Sequence, residues 1–178
     1  IGILVNSLEG GGAERVASDI ANDLTKAGAS VYLIALATGR AYPLDAGVRY
    51  RVLVPSWITR RFLPLRLFAF AIAVIRLVFL IRRDNISTIL SILQEANYAN
   101  LLARLVAHHK AITSVHSIID QHYRVGLKAK LGLTLVRRLM PGSTRVVAVS
   151  DGAAEGLRRV SSVTDIQVIP NPFDIKAI

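Results

Sequence analysis

The 178-residue sequence contains no cysteine, which removes disulfides, thiolate metal sites and cysteine nucleophiles from consideration. That absence fits a reducing compartment. Aromatic residues make up only 6% of the chain, and the interleaving of aromatic with basic residues that single-strand nucleic-acid binders use is missing. Acidic residues are the scarcer charge, 12 against 22 Lys and Arg, leaving a net charge of +10. Such an excess favours an anionic partner: nucleic acid, an anionic membrane surface or phosphorylated small molecules. A disordered basic tail is excluded, because 52% of the residues are apolar. Neither an initiator Met nor a basic-then-apolar leader opens the sequence, which starts at Ile1 and closes on PNPFDIKAI; both ends read as those of a piece of a longer polypeptide. Internal repeats and low-complexity tracts are absent.

What is present is alternation. IGILV (Ile1 to Val5) is a continuous β-branched run, as a strand buried on both faces should be. Apolar residues then fall at Ala13, Val16, Ala17, Ile20, Ala21 and Leu24 with helical period, and Gly28 stops the pattern. SVYLIAL (Ser30 to Leu36) is a second strand, completing a βαβ unit with its implied parallel pairing. Further strands are expected at Val48 to Val54, Ser87 to Ile92, Ala111 to His116, Thr144 to Ser150 and Ile166 to Ile169. Helices are expected between them, at Phe62 to Ile81, Ala96 to Ala107, Leu127 to Met140 and Ala153 to Val160. The pattern predicts one doubly wound, mostly parallel Rossmann-like α/β domain of about seven strands with helices on both faces.

Such sheets bind ligands beyond the carboxyl ends of their strands. The candidates there are Gly10-Gly11-Gly12 after the first strand, Gln94 to Asn97, His116 with Ser117, and Ser150. A glycine loop opening a helix presents unshielded N–H groups and a positive helix end to phosphate. A plain tight turn is the competing reading. The loop Glu9-Gly10-Gly11-Gly12-Ala13-Glu14 does not follow the dinucleotide spacing, Ala37-Thr38-Gly39-Arg40 supplies no ribose-binding carboxylate, and no P-loop occurs. His116 closes an apolar strand on this rim, where an imidazole can donate to a sugar hydroxyl or a phosphate oxygen. His108, His109 and His122 have no metal-ligand spacing and read as surface residues.

FLPLRLFAFAIAVIRLVFLIRRD (Phe62 to Asp84) is long enough to span a bilayer, but holds Pro64, Arg66 and Arg76. Mid-span arginines cost roughly 2.5–3.5 kcal/mol each on translocon scales. A bitopic chain is therefore disfavoured. Two readings remain open: a helix on the sheet with apolar surface left for a membrane, or a wholly buried crossover. Arg60, Arg61, Arg82 and Arg83 flank the stretch, and Lys128 and Lys130 lie in a second basic, apolar segment (Arg124 to Met140). Together they suggest an anionic membrane patch.

GGAERVASDIANDL after the first strand, and VVAVSDGAAEGLRRV followed by VIPNPFD, resemble the amino-terminal half of glycosyltransferase family 4, in its GGAER-type subgroup. The resemblance implies a GT-B enzyme: two Rossmann-like domains facing a cleft, moving a sugar from a nucleotide-diphosphate donor with retention of configuration. Residues 1–170 would be the acceptor-side domain and 171–178 the start of the hinge, with the carboxy-terminal donor domain outside this sequence. It further implies that Gly11 and Gly12 lie against donor diphosphate and acceptor, that His116 reaches the donor sugar and phosphate, and that Glu14 and Asn97 line the acceptor side. Ser117 and Ser150 join this set by position. A saccharide or lipid-linked acceptor in envelope polysaccharide or glycolipid synthesis, no cofactor beyond the substrate, no metal and no nucleic acid are expected. So is a cytoplasmic location, peripheral on the inner face of the membrane. The family's donor-clamping Glu-x7-Glu pair does not occur among Glu9, Glu14, Glu95 and Glu155, so this chain alone should not catalyse transfer. Pro172-Phe173-Asp174 departs from the usual Gly-Val-Asp after the asparagine. The alternative is a non-enzymatic nucleotide- or phosphate-binding Rossmann-type module at a membrane surface.

Overall fold

Strands without a polar face bury both sides, and this sheet is built on that rule. All four residues of the first strand are buried, and helices cover both faces. The computed structural model describes residues 1–39, 42–55, 63–118 and 127–171, with Leu63 and residues 127–129 in backbone alone. In chain order the elements are β1 (Gly2–Val5), α1 (Gly12–Lys26), β2 (Tyr32–Ala37), β3 (Arg49–Val54) and α2 (Leu63–Arg83). β4 (Thr88–Ile92), α3 (Gln94–Arg104), β5 (Lys110–Val115) and α4 (Leu127–Leu139) follow. After a 3-10 turn at Met140–Gly142 come β6 (Arg145–Ala148), α5 (Asp151–Val160) and β7 (Ile166–Val168).

The sheet has seven strands in the order β3-β2-β1-β4-β5-β6-β7. Every pairing is parallel, where the sequence predicted mostly parallel. β1 lies between β2 and β4, with Leu4 level with Ile34 on one side and Ser91 on the other. The chain runs outward from β1 to β3, then returns through α2 to β4 on β1's other flank. The strand order therefore reverses between β1 and β4, and a crevice opens at their carboxyl ends.

Residues alternate between two cores. Ile3, Val5, Leu33 and Ala35 pack with Ala17 and Ala21 of α1. Leu4, Ile34, Leu36 and Ile89 pack on the opposite face against α2 and α3. Edge strand β3 keeps Arg49 and Arg51 exposed, and the Arg49 guanidinium reaches the Tyr32 hydroxyl at 2.7 Å. Charge on an edge strand discourages pairing with another chain.

α2 meets the sheet through Ala69 and Ala73 in its first half and Leu77, Leu80 and Ile81 in its second. Ala69, Ala73 and Leu77 are at most 1% exposed, as are Ala96, Ala99 and Ala103 of α3. Other large side chains face outward: Leu67, Phe68, Ile75 and Phe79 are 60–67% exposed. Of the two readings of this stretch, the wholly buried crossover is therefore incorrect. α2 is long and apolar enough to cross a bilayer by length and composition, but it joins two strands of one sheet, which a spanning segment would separate. Arg76 turns back to donate to the Leu53 carbonyl, and Arg66 pairs with Glu95 at 3.7 Å.

Because alanines set the helix-to-sheet distance, Ala73→Leu should overpack this layer. We expect a loss of about 1–3 kcal/mol in urea unfolding despite the added apolar surface; a neutral result would mean that α2 is not closely seated.

Candidate functional site

Asn6 directly follows β1, and this residue organises the corner. Its carbonyl accepts the Ala37 N–H at 2.9 Å, tying it to the exit of β2. Its side-chain Oδ1 accepts the Ala96 N–H at 2.9 Å, across 90 residues of sequence. Ala96 is the third residue of α3, whose N-cap position is held by Leu93. Leucine has no side-chain acceptor, so an asparagine from another strand caps the helix instead. Leu93 itself adopts φ 76° and ψ 160°, a region that glycine normally occupies and that costs other residues of order 1–3 kcal/mol. A strained turn thus sits at the switch point, held by bonds on both sides.

Beneath it runs a buried polar chain. Ser91 Oγ donates to Asn97 Oδ1 at 2.7 Å, and Asn97 Nδ2 donates to the Ser114 carbonyl at 3.0 Å. Asn100 Nδ2 donates to Ser91 Oγ at 3.0 Å and to the Ile89 carbonyl at 3.2 Å. His109 Nε2 meets Asn100 Oδ1 at 2.8 Å, and its Nδ1 meets the Ala107 carbonyl at 2.9 Å. Satisfied networks of this kind rigidify what they join, here β4, α3 and β5. His109, expected on the surface, is only 9% exposed. His108, its neighbour, is exposed as expected.

The glycine loop stands on the other side of the crevice. Gly10, at φ 117°, turns the chain into α1, which begins at Gly11 (N-cap) and Gly12 with no side-chain cap. All three glycines are exposed. Glu14 folds back over the helix start: a Cβ on Gly11 would lie 2.1 Å from its Oε2, and Ser7 Oγ donates to its Oε1 at 3.5 Å. The carboxylate thus lies at the positive end of α1. At Gly12 a Cβ would meet nothing within 4 Å, so that side of the loop is open. The β2 exit props the loop from behind. Tyr42 Oη donates to the Gly11 carbonyl at 3.1 Å. Gly39, at φ 153°, leaves room for Glu9, whose Cγ a Cβ there would approach to 2.5 Å.

His116 follows β5, about 10 Å from the β1 exit at two inter-strand spacings. It is half-buried, and its Nε2 lies 3.0 Å from Ser114 Oγ. Among the described residues Nδ1 has no hydrogen-bond partner. Burial holds the imidazole pKa below its ordinary value, so at neutral pH the ring is uncharged.

The remaining candidates divide. Ser117 and Ser150 are exposed on the rim, but Ser150 is also the N-cap of α5, its Oγ accepting the Ala153 N–H at 3.2 Å. Asn97 is fully buried. Its carboxamide is committed to Ser91 and Ser114, so it supports the rim from below and lines no acceptor surface. Arg83 is held by Asp84 in a paired contact of 2.8 and 2.9 Å, which compensates its charge. Arg82 is exposed and donates to the Val106 carbonyl at 2.8 Å, and Lys130 is exposed on α4. Arg60, Arg61, the Lys128 side chain, His122 and Pro172 to Asp174 fall outside the described residues. Among the described residues no group of three or more His, Asp or Glu side chains converges as metal ligands would. A cavity of about 410 Å³ lies at the opposite end of the sheet, by Ile86, Ser87 and His108. Another of about 400 Å³ lies between Arg137 and Ser161. Neither cavity is lined by the rim residues.

Asn6 and Leu93 were not among the residues singled out in the sequence. The signal for Asn6 was its place, a polar residue directly after the last apolar position of β1. For Leu93 there was none.

A doubly wound parallel sheet with a glycine loop beside its switch point defines a Rossmann-like domain. The Glycosyltransferase Family 4 model matches residues 10–177, and the chain belongs to that family. No curated protein matches it. Among solved structures it is similar to sucrose-phosphate synthase from Thermosynechococcus elongatus (TM-score 0.76, 16% identity), covering 98% of this chain and 49% of that one. It is similar to Anabaena Alr3699/HepE in complex with UDP-glucose (0.65, 18%; 98% and 45%). A third is the apo lipopolysaccharide outer core galactosyltransferase WaaB (0.67, 17%; 100% and 48%). At these identities the likeness is one of fold. The chain spans slightly under half the length of each.

Two measurements probe the corner. Asn6→Ala should cost about 1 kcal/mol in chemical unfolding, while Asn6→Asp, which keeps the acceptor at a helix N-terminus, should cost clearly less. Equal losses would show that the cap is not what Asn6 contributes. Burial, aided by Arg104, holds the His109 pKa down against the opposing Ala107 carbonyl. The unfolded chain therefore takes up this proton first, and stability falls as pH drops through the ordinary imidazole range and below. His109→Gln should reduce that acid-side slope in stability measured against pH; an unchanged slope would exclude the buried ring as a source.

Proposed function

We propose that the chain is the amino-terminal, acceptor-side half of a retaining GT-B glycosyltransferase. It would move a sugar from a nucleotide diphosphate to a saccharide or lipid-linked acceptor in envelope polysaccharide or glycolipid synthesis. The observation that carries this reading is the family match across residues 10–177, laid over a crevice flanked by the exposed Gly10–Gly12 loop and His116. Two of the similar solved structures are of one protein, Alr3699/HepE, in complex with UDP and with UDP-glucose, which supports a uridine-diphosphate sugar as the class of donor.

The chemistry requires that the bond from the anomeric carbon to the diphosphate breaks while one to the acceptor oxygen forms on the same face. The acceptor proton leaves with the departing phosphate. Charge accumulates on that phosphate, so the useful protein groups are fixed donors and dipoles and not a carboxylate pair. The loop backbone at Gly12, where a Cβ would meet nothing within 4 Å, and the positive start of α1, once the Glu14 carboxylate moves aside, are such groups. His116, uncharged at neutral pH, would act through a directed hydrogen bond from Nδ1, with Ser114 holding Nε2. The donor's nucleoside would be held by the partner domain, since among the described residues no set at this rim would clamp one.

In the intact enzyme, His116→Ala should lower turnover at least about tenfold with the fold unchanged. The acid limb of kcat/KM, if it reports this ring, should lie below the ordinary imidazole pKa. Gly12→Val fills space that is empty in the fold, so it should raise the donor KM at least about tenfold without loss of stability. Near-normal kinetics for both variants would remove the loop and the imidazole from the site.

A further inference from the structure

The outer face of α2 has no role in the sugar-transfer reading. Phe68, Ala71, Ile75 and Phe79, spaced four residues or fewer apart, line up along the exposed side, with Leu67 beside them. Phe68, Ile75 and Phe79 are 62%, 67% and 64% exposed, and Leu67 is 60% exposed. These side chains leave on the order of 450 Å² of contiguous apolar surface in water, within the roughly 300–600 Å² of the largest patch on a typical soluble monomer. A patch of that rank marks an interaction surface.

Its surroundings identify the occupant. α2 carries four arginines and no acidic residue. Arg66 and Arg83 have carboxylate partners in Glu95 and Asp84. Arg76 and Arg82 donate instead to the neutral carbonyls of Leu53 and Val106, so their charges are uncompensated by these bonds. Beyond Arg82, Leu105 and Val106 are 76% and 54% exposed, extending apolar surface past the cationic end. A second copy of this chain is a poor partner. The stripe falls short of the about 800 Å² per subunit of a standard stable interface, and a two-fold contact would bring like arginines together in a chain of net charge +10. An apolar stripe with cationic residues at its margin is instead the surface that lies in the headgroup region of a bilayer.

We propose that α2 docks the protein on an anionic bilayer, lying in the interface plane with Phe68, Ile75 and Phe79 inserted and the exposed Arg82 at the headgroups. The helix starts at the carboxyl edge of β3 and is about 30 Å long at 1.5 Å per residue. Docking along it lays this face of the sheet over the membrane, with the carboxyl ends of the strands as near the lipid as the amino ends. This surface does not depend on the catalytic reading, and its test uses no activity.

The test is co-sedimentation of the full-length protein with vesicles of phosphatidylcholine alone or mixed with phosphatidylglycerol. Binding should require the anionic lipid and weaken with salt. Phe68→Ser with Phe79→Ser should reduce it at least about tenfold, with the far-ultraviolet dichroism unchanged, and Arg82→Gln by about fivefold. Phe79→Trp, which keeps the apolar bulk, should bind at least as well as the parent and guards against misfolding of the serine variant. Carbonate should release the bound protein. Undiminished binding of the serine variant, or binding indifferent to phosphatidylglycerol, would overturn the proposal. Resistance to carbonate would replace it with a spanning helix. Absence of vesicle binding would overturn it too, whether from a concentration-dependent dimer lost in the serine variant or from other parts of the polypeptide covering the stripe.

Discussion

The bond from the Ala96 N–H to Asn6 Oδ1 is the constraint on which this end of the sheet depends. A parallel sheet must leave a gap where its strand order reverses, because the two crossovers depart on opposite sides. Here one carboxamide spans that gap. It fixes the start of α3 relative to β1, and the backbone carbonyl of Asn6 fixes β1 relative to β2. Leu93 is held between these anchors in a backbone conformation suited to glycine. Below, Ser91, Asn97 and Asn100 connect the same turn to β5, and Ser114 carries that rigidity to the His116 ring. The glycine loop and the imidazole are thus set on opposite sides of one stiff corner.

The helix that returns the chain across β1 does a different kind of work. Its inner face combines Ala69 and Ala73 with Leu77, Leu80 and Ile81, while Leu67, Phe68, Ile75 and Phe79 stand outward. Burial satisfies one side of this helix and leaves comparably large apolar side chains on the other. That surplus is what separates α2 from an ordinary crossover helix.

Much of this was legible in the sequence. The strands announced themselves as short β-branched runs because a sheet covered on both faces needs no polar alternation. The βαβ order, the glycine loop and the placement of His116 after β5 followed from that reading. What escaped it depended on partners distant in sequence. Nothing local says that Asn6 will cap a helix 90 residues away, and local preference argues against leucine at a positive φ. His108 and His109 look alike in the sequence, yet one is exposed and the other shares a buried network with Asn100. Asn97 was placed correctly in the chain but not in depth: one turn of a helix decides whether a rim residue looks into the crevice or beneath it. Periodicity likewise found α2 without revealing which face it turns outward, since nearly every position of that helix is apolar.

Glu14 gives the glycine loop a property that an empty helix start would lack. Its carboxylate lies at the positive end of α1, braced by Ser7, although no side chain bonds the helix from the N-cap position. The dipole of α1 is thus answered from within its own first turn. A helix that carries its own counter-charge can begin on bare glycine, and the backbone there is free to take the shape the turn out of β1 demands.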